Sequence, residues 1–284
     1  MIIVTGATGQ LGSAVVHRLL ERVPASQVGV SVRDPRQASG LAGRGVRVRP
    51  GDFDDAATLA SAFAGAAQVL IVSSATTGPG ALRQHRTAID AARRAGARRI
   101  VYTSHMGVNP ASAFAPMVDH AATEAMLQES GLPFTSLRNG FYATSGLMLL
   151  GAALETGEVA APEDGPVSWT AHADLAEAVA VTLADEGRLD GLTAPLTGTE
   201  AIGLDGIAEI ASQLTGRTVK RTVVSDAQYR DGMIARGVPA AAAGMLTGLF
   251  AASRNGEFAM VDPTLGDLLG RPPLTIRDVL AAQS

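Results

Sequence analysis

Eight residues near the start, Thr5-Gly6-Ala7-Thr8-Gly9-Gln10-Leu11-Gly12, constrain this chain more than any other stretch. They follow Ile2-Ile3-Val4, a β-branched run without polar alternation, the pattern of a strand buried on both faces of a parallel sheet. They open a helical pattern over Leu11 to Glu21, with Leu11, Val15 and Leu19 on one face. In this setting Gly6 permits a tight turn, Gly9 lets the backbone approach a pyrophosphate, and Gly12 lets the helix lie close to the strand. The helix N-terminus then offers free N–H groups and a positive dipole to an anion. Context carries this reading, because glycine is common here, at 32 of 284 residues.

The alternation continues. Strands are expected at Val28 to Val32, Val46 to Val48, Val69 to Val72, Ile100 to Tyr102 and Phe134 to Leu137. Helices are expected from an Asp54-Asp55 cap through Phe63, over Leu82 to Ala95 with Gly96 as its stop, and over Ala121 to Ser130. Strands alternating with helices imply right-handed crossovers and an α/β fold with a doubly wound parallel sheet of the Rossmann type. The second half is less regular. Helices are expected over Ala173 to Leu183 and Leu204 to Leu214, a strand over Val219 to Val224, and one or two helices within Gly232 to Ala252. Pro162 to Pro166 reads as a loop. The division is a nucleotide-binding domain over 1–140 and a smaller α+β substrate lobe over 141–284, with some elements returning to the first domain.

Composition narrows the function. Hydrophobic residues make up 46% and charged residues 18%, enough for a large core and against global disorder. The net charge of −4 gives no general attraction to nucleic acid or anionic membranes. Without cysteine there are no disulfides, Fe–S clusters, cysteine zinc sites or thiol catalysis. The longest mostly apolar run, Gly146 to Leu154, is far short of the ~20 residues that span a bilayer. No signal peptide precedes the first strand, so the cytoplasm is the expected compartment. The histidines outside position 120 show no metal-ligand spacing, and no Gly-x-Ser-x-Gly elbow is present.

The second strand ends Ser31-Val32-Arg33-Asp34. An acidic residue at this tip would bond a ribose 2′-OH, whereas an arginine accepts a 2′-phosphate. Arg33 therefore favours NADP; Asp34 leaves NAD as the alternative. Asp52-Phe53, after the third strand, either borders the adenine or, through Asp52, caps the following helix.

Together these segments resemble the atypical short-chain dehydrogenases of the NmrA-like group, in particular its quinone reductase and triphenylmethane reductase branch. The resemblance runs over nearly the whole chain. It rests on the glycine loop, Val32 to Pro35, Gly51 to Asp54, Tyr102-Thr103-Ser104, His120 with Thr123-Glu124, and Leu137 to Tyr142. It implies that Gly6, Thr8, Gly9, Gln10 and Leu11 hold the pyrophosphate and Arg33 the 2′-phosphate. Ser73, Ser74, Thr103 and Ser104 would flank the nicotinamide, and Asn139, Gly140, Phe141 and Tyr142 would begin the substrate lobe.

Typical members of this superfamily use a Tyr-x-x-x-Lys pair with tyrosine as acid. Here the lysine position holds His120 and the tyrosine position Pro116, which has no proton to give. Reducing a ketone makes an alkoxide about as basic as hydroxide, for which an acid is nearly obligatory (water, pKa ~15.7). Reducing a quinone makes a phenolate-like anion, pKa ~10 by analogy with tyrosine, which bulk water can protonate. A site lacking the tyrosine suits a quinone or delocalised aromatic cation. His120 is expected to bond the ribose or the acceptor, or to supply a proton near neutral pH, and Tyr142 to line the acceptor pocket. Tyr102 is expected to point into the sheet packing, with His105 behind the site.

The segment Ala143 to Leu150 is more apolar than the branch pattern, and Met233, Met245, Leu246, Leu249 and Phe250 would enlarge an apolar pocket. That favours an extended aromatic over a small benzoquinone. The leading expectation is a flavin-free NAD(P)H-dependent reductase with such an acceptor as its small-molecule partner, and a homodimer is left open. One alternative is a tailoring enzyme, reductase or oxygenase, acting on an aromatic polyketide. The other is a non-catalytic cofactor-sensing regulator working through a protein partner.

Overall fold

The computed structural model describes residues 1–282. Six strands alternating with five helices build its first half. The strands are β1 (Ile2–Thr5), β2 (Val28–Val32), β3 (Arg47–Pro50), β4 (Gln68–Ile71), β5 (Arg99–His105) and β6 (Phe134–Asn139). Between them run α1 (Gln10–Leu19), α2 (Ser39–Gly43), α3 (Ala56–Phe63), α4 (Pro79–Arg94) and α5 (Ala115–Glu129). The remaining strands are short: β7 (Phe141–Tyr142), β8 (Glu158–Ala161), β9 (Trp169–Thr170), β10 (Gly191–Leu192) and β11 (Lys220–Val223). The remaining helices are α6 (Ala143–Leu150), α7 (Ala153–Thr156), α8 (His172–Ala184), α9 (Leu204–Thr215), α10 (Asp226–Ala235), α11 (Ala240–Arg254), α12 (Thr264–Leu269) and α13 (Ile276–Ala281).

The central sheet has seven parallel strands in the order β10-β6-β5-β4-β1-β2-β3. The winding direction reverses between β1 and β4, so a crevice opens beyond their carboxyl ends. The central strands β1, β4 and β5 each serve two cores. In β1, Ile2 and Val4 join a cluster with residues of α1 and α8, while Ile3 joins another with residues of α3, α4 and α5. The unbroken apolar run in the sequence is this double burial.

A third cluster lies in the second half, around Phe141, Trp169, Ile207, Phe250 and Phe258. Leu249 and Phe250 belong to it and Met245 packs against it, so these are core rather than an open pocket wall. Two small parallel pairings, β7 with β9 and β8 with β11, frame it. Arg221 holds its loop, with Asp164 at 2.6 Å, Asp205 at 3.0 Å and a bond to the Pro162 carbonyl. Residues 171–196 return to the first half: α8 packs on α1, and β10 extends the sheet beside β6.

One helix start differs from the sequence reading, and one open choice is decided. The fifth helix starts at Ala115 rather than Ala121, because Pro116 sits in its first turn, where a missing N–H costs nothing. The stretch over 232–252 is two helices; a Ser225/Gln228 capping box starts α10, and the break falls between Arg236 and Pro239.

Candidate active site

The chain leaves β1 through Gly6, at φ +61°, a conformation that glycine enters without steric cost. Gly9 is the N-cap residue of α1 and provides no side-chain cap, and no acidic residue stands in the first turn. The leading amides of α1 therefore keep their hydrogen-bonding capacity and dipole for a ligand. A Cβ on Gly12 would lie 2.2 Å from the Gly6 carbonyl oxygen, so only glycine lets helix and loop meet this closely. Thr8, Gly9 and Gln10 are exposed; Leu11 is buried and can offer only its backbone. This cradle fits a dinucleotide pyrophosphate.

At the tip of β2, Arg33 is exposed and has no ion-pair partner among the described residues. Asp34 is occupied. It caps a 3-10 turn over Pro35–Ala38, accepting from the Arg36 amide at 3.1 Å and from its guanidinium at 2.9 and 3.0 Å. Arg36 holds the Asp34 carboxyl below its ordinary pKa. The cation is free and the carboxylate is taken, which fits a 2′-phosphate better than a bare 2′-OH. Beyond β3, Asp52 accepts from the Asp54 amide at 3.0 Å, and Asp55 rather than Asp52 caps α3. Phe53 is half-buried against the α3–α4 side of the sheet.

Three consecutive amides leaving β4 are each pinned by a side chain from a different element. Val72 donates to Thr5 Oγ1, Ser73 to Thr103 Oγ1, and Ser74 to His85 Nε2, each at 2.9 Å. His85 Nδ1 in turn reaches Thr123 Oγ1 at 2.9 Å. Burial lowers the His85 pKa to about 4, so the ring is neutral and can accept. The Ser74 hydroxyl donates to Gln84 at 2.5 Å. Thr103 is thus a support for Ser73, which corrects its expected place as a nicotinamide contact.

Ser104 needs the same correction. It shares a face of β5 with Tyr102, directed to α5, and donates to Glu124 Oε1 at 2.8 Å. Glu124 also accepts from Ser136 at 2.9 Å and from the Arg138 guanidinium at 3.1 and 2.7 Å, binding α5, β5 and β6 together. Tyr102 is fully buried, and its hydroxyl meets His120 Nδ1 at 2.8 Å. Burial pushes the phenol up, so it stays protonated, and hydroxyl and imidazole share one hydrogen bond. Burial, assisted by His85, lowers the His120 pKa to about 3, which speaks for a neutral imidazole here and against a proton source near neutral pH. His105 stacks on it at 6.1 Å between ring centroids and packs edge-on against Phe141 and Phe258 at 5.0 and 5.7 Å.

Asn139, at the end of β6 opposite His105, is 1% exposed; its amide interacts with the Tyr142 phenol but closes no well-formed hydrogen bond. Gly140 donates to the Leu196 carbonyl at 2.7 Å. Phe141 is buried in the lobe cluster. Tyr142 packs against the sheet core with its ring 4.2 Å from that of His172, and burial raises its phenol pKa. Sequence reasoning placed Tyr102 in the sheet packing without its bond to His120, and passed over the roles of His85 and Phe258. A tyrosine inside a strand pattern was the available signal, since a buried phenol needs a partner for its hydroxyl.

The NmrA-like family matches residues 1–268. Quinone oxidoreductase 2 of Escherichia coli (strain K12) is 36% identical over 281 residues, covering 98% of this chain and 96% of that protein. The crystal structure of the E. coli NADPH-dependent quinone oxidoreductase complexed with NADPH superposes with a TM-score of 0.94 at 35% identity, covering 100% and 99% of the two chains. That of Citrobacter sp. triphenylmethane reductase complexed with NADP(H) gives 0.91 at 32% identity, with the same coverage.

Proposed function

The chain belongs to the NmrA-like family, and from that premise we propose that it is an NADPH-dependent reductase acting on a quinone or another extended aromatic acceptor. One observation carries the reading: Pro116 stands where the acid tyrosine of a ketone reductase would, and the tyrosine of β5, Tyr102, is fully buried with its hydroxyl engaged by His120. A ketone reductase needs an acid; a quinone reductase does not, because its phenolate-like product takes a proton from water.

When bound, NADPH supplies the hydride. Arg33 would take the 2′-phosphate, and the amides of α1 the pyrophosphate. The pinned exit of β4 forms a rigid wall, and the Asn139 amide is available to satisfy the nicotinamide end. His120, held by the Tyr102 hydroxyl, would offer a hydrogen bond to the acceptor oxygen and stabilise developing negative charge. The lobe over 141–284 contributes the apolar acceptor side. Met148, Met260 and Val261 are its exposed apolar side chains on the segments that leave Phe141 and Phe258. The named activities of the E. coli and Citrobacter proteins support this choice of acceptors.

The test follows NADPH absorbance with a panel of quinones, polycyclic aromatics and triphenylmethane dyes, with O₂ uptake and product mass recorded together. Equimolar NADPH loss and a reduced product are expected. Labelled oxygen in the product would establish the oxygenase alternative, and tight NADPH binding without turnover on any acceptor would establish the sensor.

A further inference from the structure

A cavity of about 440 Å³ opens beside the glycine loop, between α1 and the segment after β2. Thr8, Ser13 and His17 line one side, Gln37 and Arg44 the other, and no lining residue is acidic. Every polar side chain in it can donate a hydrogen bond. Arg44 has no carboxylate partner among the described residues; its polar contact is His17 Nδ1 at 3.4 Å. Nearby Arg36 is neutralised by Asp34. Arg33 immediately precedes Asp34, and the short turn capped by Asp34 carries Gln37 into the cavity wall. The segment that follows β2 thus carries two guanidiniums without a carboxylate partner among the described residues, Arg33 at the strand tip and Arg44 in the cavity wall.

We propose that Arg44 is a second ligand of the cofactor's 2′-phosphate, acting from the cavity side while Arg33 acts from the strand tip. This rests on the nucleotide-binding reading above. A phosphomonoester carries about −1.5 to −2 charges at pH 7, more than one guanidinium neutralises, and the cavity supplies a second cation with no competing carboxylate. Arg donates to His17 Nδ1, so the imidazole orients the guanidinium and acts as a positioning residue. Thr8 and Gln37 provide neutral donors to the same anion.

The test is calorimetric binding of NADPH, NADH, 2′,5′-ADP and 5′-AMP to the wild-type chain and to Arg44→Ala, Arg33→Ala and the double variant. Arg44→Ala should weaken NADPH and 2′,5′-ADP about tenfold, leave NADH and 5′-AMP within about twofold, and flatten the salt dependence of NADPH binding. Arg44 is exposed, so the variant should keep the wild-type thermal midpoint. Equal losses for phosphorylated and unphosphorylated ligands, or no loss for either, would overturn the role of Arg44 alone. A wild-type chain that binds none of the four would overturn the nucleotide-binding reading itself.

Discussion

A buried amide with neither polar atom hydrogen-bonded is a standing cost, of the order of 1–3 kcal/mol, unless a ligand arrives to satisfy it. Asn139, which interacts with the Tyr142 phenol but closes no well-formed hydrogen bond, comes near that case. Replacing it by leucine, of similar size, removes the unsatisfied atoms from the unliganded protein. Asn139→Leu should therefore unfold at the same urea concentration as wild type or higher, while its NADPH affinity falls. A loss of stability with unchanged NADPH binding would show that the amide serves the fold. Arg33 is the converse case, an exposed charge with no partner to lose. Arg33→Ala should leave the thermal midpoint unmoved and weaken NADPH by roughly 10- to 100-fold, as for a lost charge-assisted bond of ~1.5–3 kcal/mol, with little change for NADH. Equal weakening of both would turn the preference away from the 2′-phosphate.

Elements reach the site through a few side chains that bind one backbone to another. Glu124 is the strongest of these, joining Ser104 of β5, Ser136 and Arg138 of β6, and α5 itself. Glu124→Ala leaves Arg138 and two buried hydroxyls without their acceptor, and should cost about 3 kcal/mol in urea denaturation. Restoring a carboxylate as Glu124→Asp should recover only part of it, since the shorter side chain cannot reach every partner. The sequence pattern singled out Glu124 and Arg138 without revealing that they join. The longer helices of the first half were legible from their 3.6-residue periodicity, whereas α5 starts at Ala115, six residues before the expected Ala121, with Pro116 in its first turn. The two-residue strands β7, β9 and β10 left no pattern, since pairs so short are made by their neighbours and not by their own alternation.

Across the molecule, histidines shielded from solvent shape the response to acid. Burial of His85 lowers its pKa to about 4, and desolvation lowers the half-buried His105 and His120 to about 3 and draws His172 down as well, against about 6.5 in an unfolded chain. Between those values the unfolded state binds more protons, so stability rises with pH up to the unfolded pKa and is lost as pH falls from there toward 4. Urea midpoints measured from pH 7 to pH 5 should fall accordingly, and His105→Phe, which suits the surrounding Phe141 and Phe258 rings, should flatten the slope. A slope unchanged by that substitution would mean that His105 does not titrate with unfolding. For the same reason the turnover rate should show no histidine limb between pH 6 and 8.

The sequence by itself determined the βαβ start, the glycine cradle, the cation at the tip of β2 and the vacancy where an acid tyrosine would stand. Each of these is a local matter, written in residues that are neighbours in the chain and governed by backbone sterics, periodicity or the absence of a functional group. Only the tertiary structure decided that Tyr102 stands behind His120, that Thr5, Thr103 and His85 hold the exit of β4, and that Asn139 lies buried without a well-formed hydrogen bond. Those facts depend on which side chains from distant segments share one dry space. Burial there sets protonation and hydrogen bonding, and no spacing along the chain encodes it.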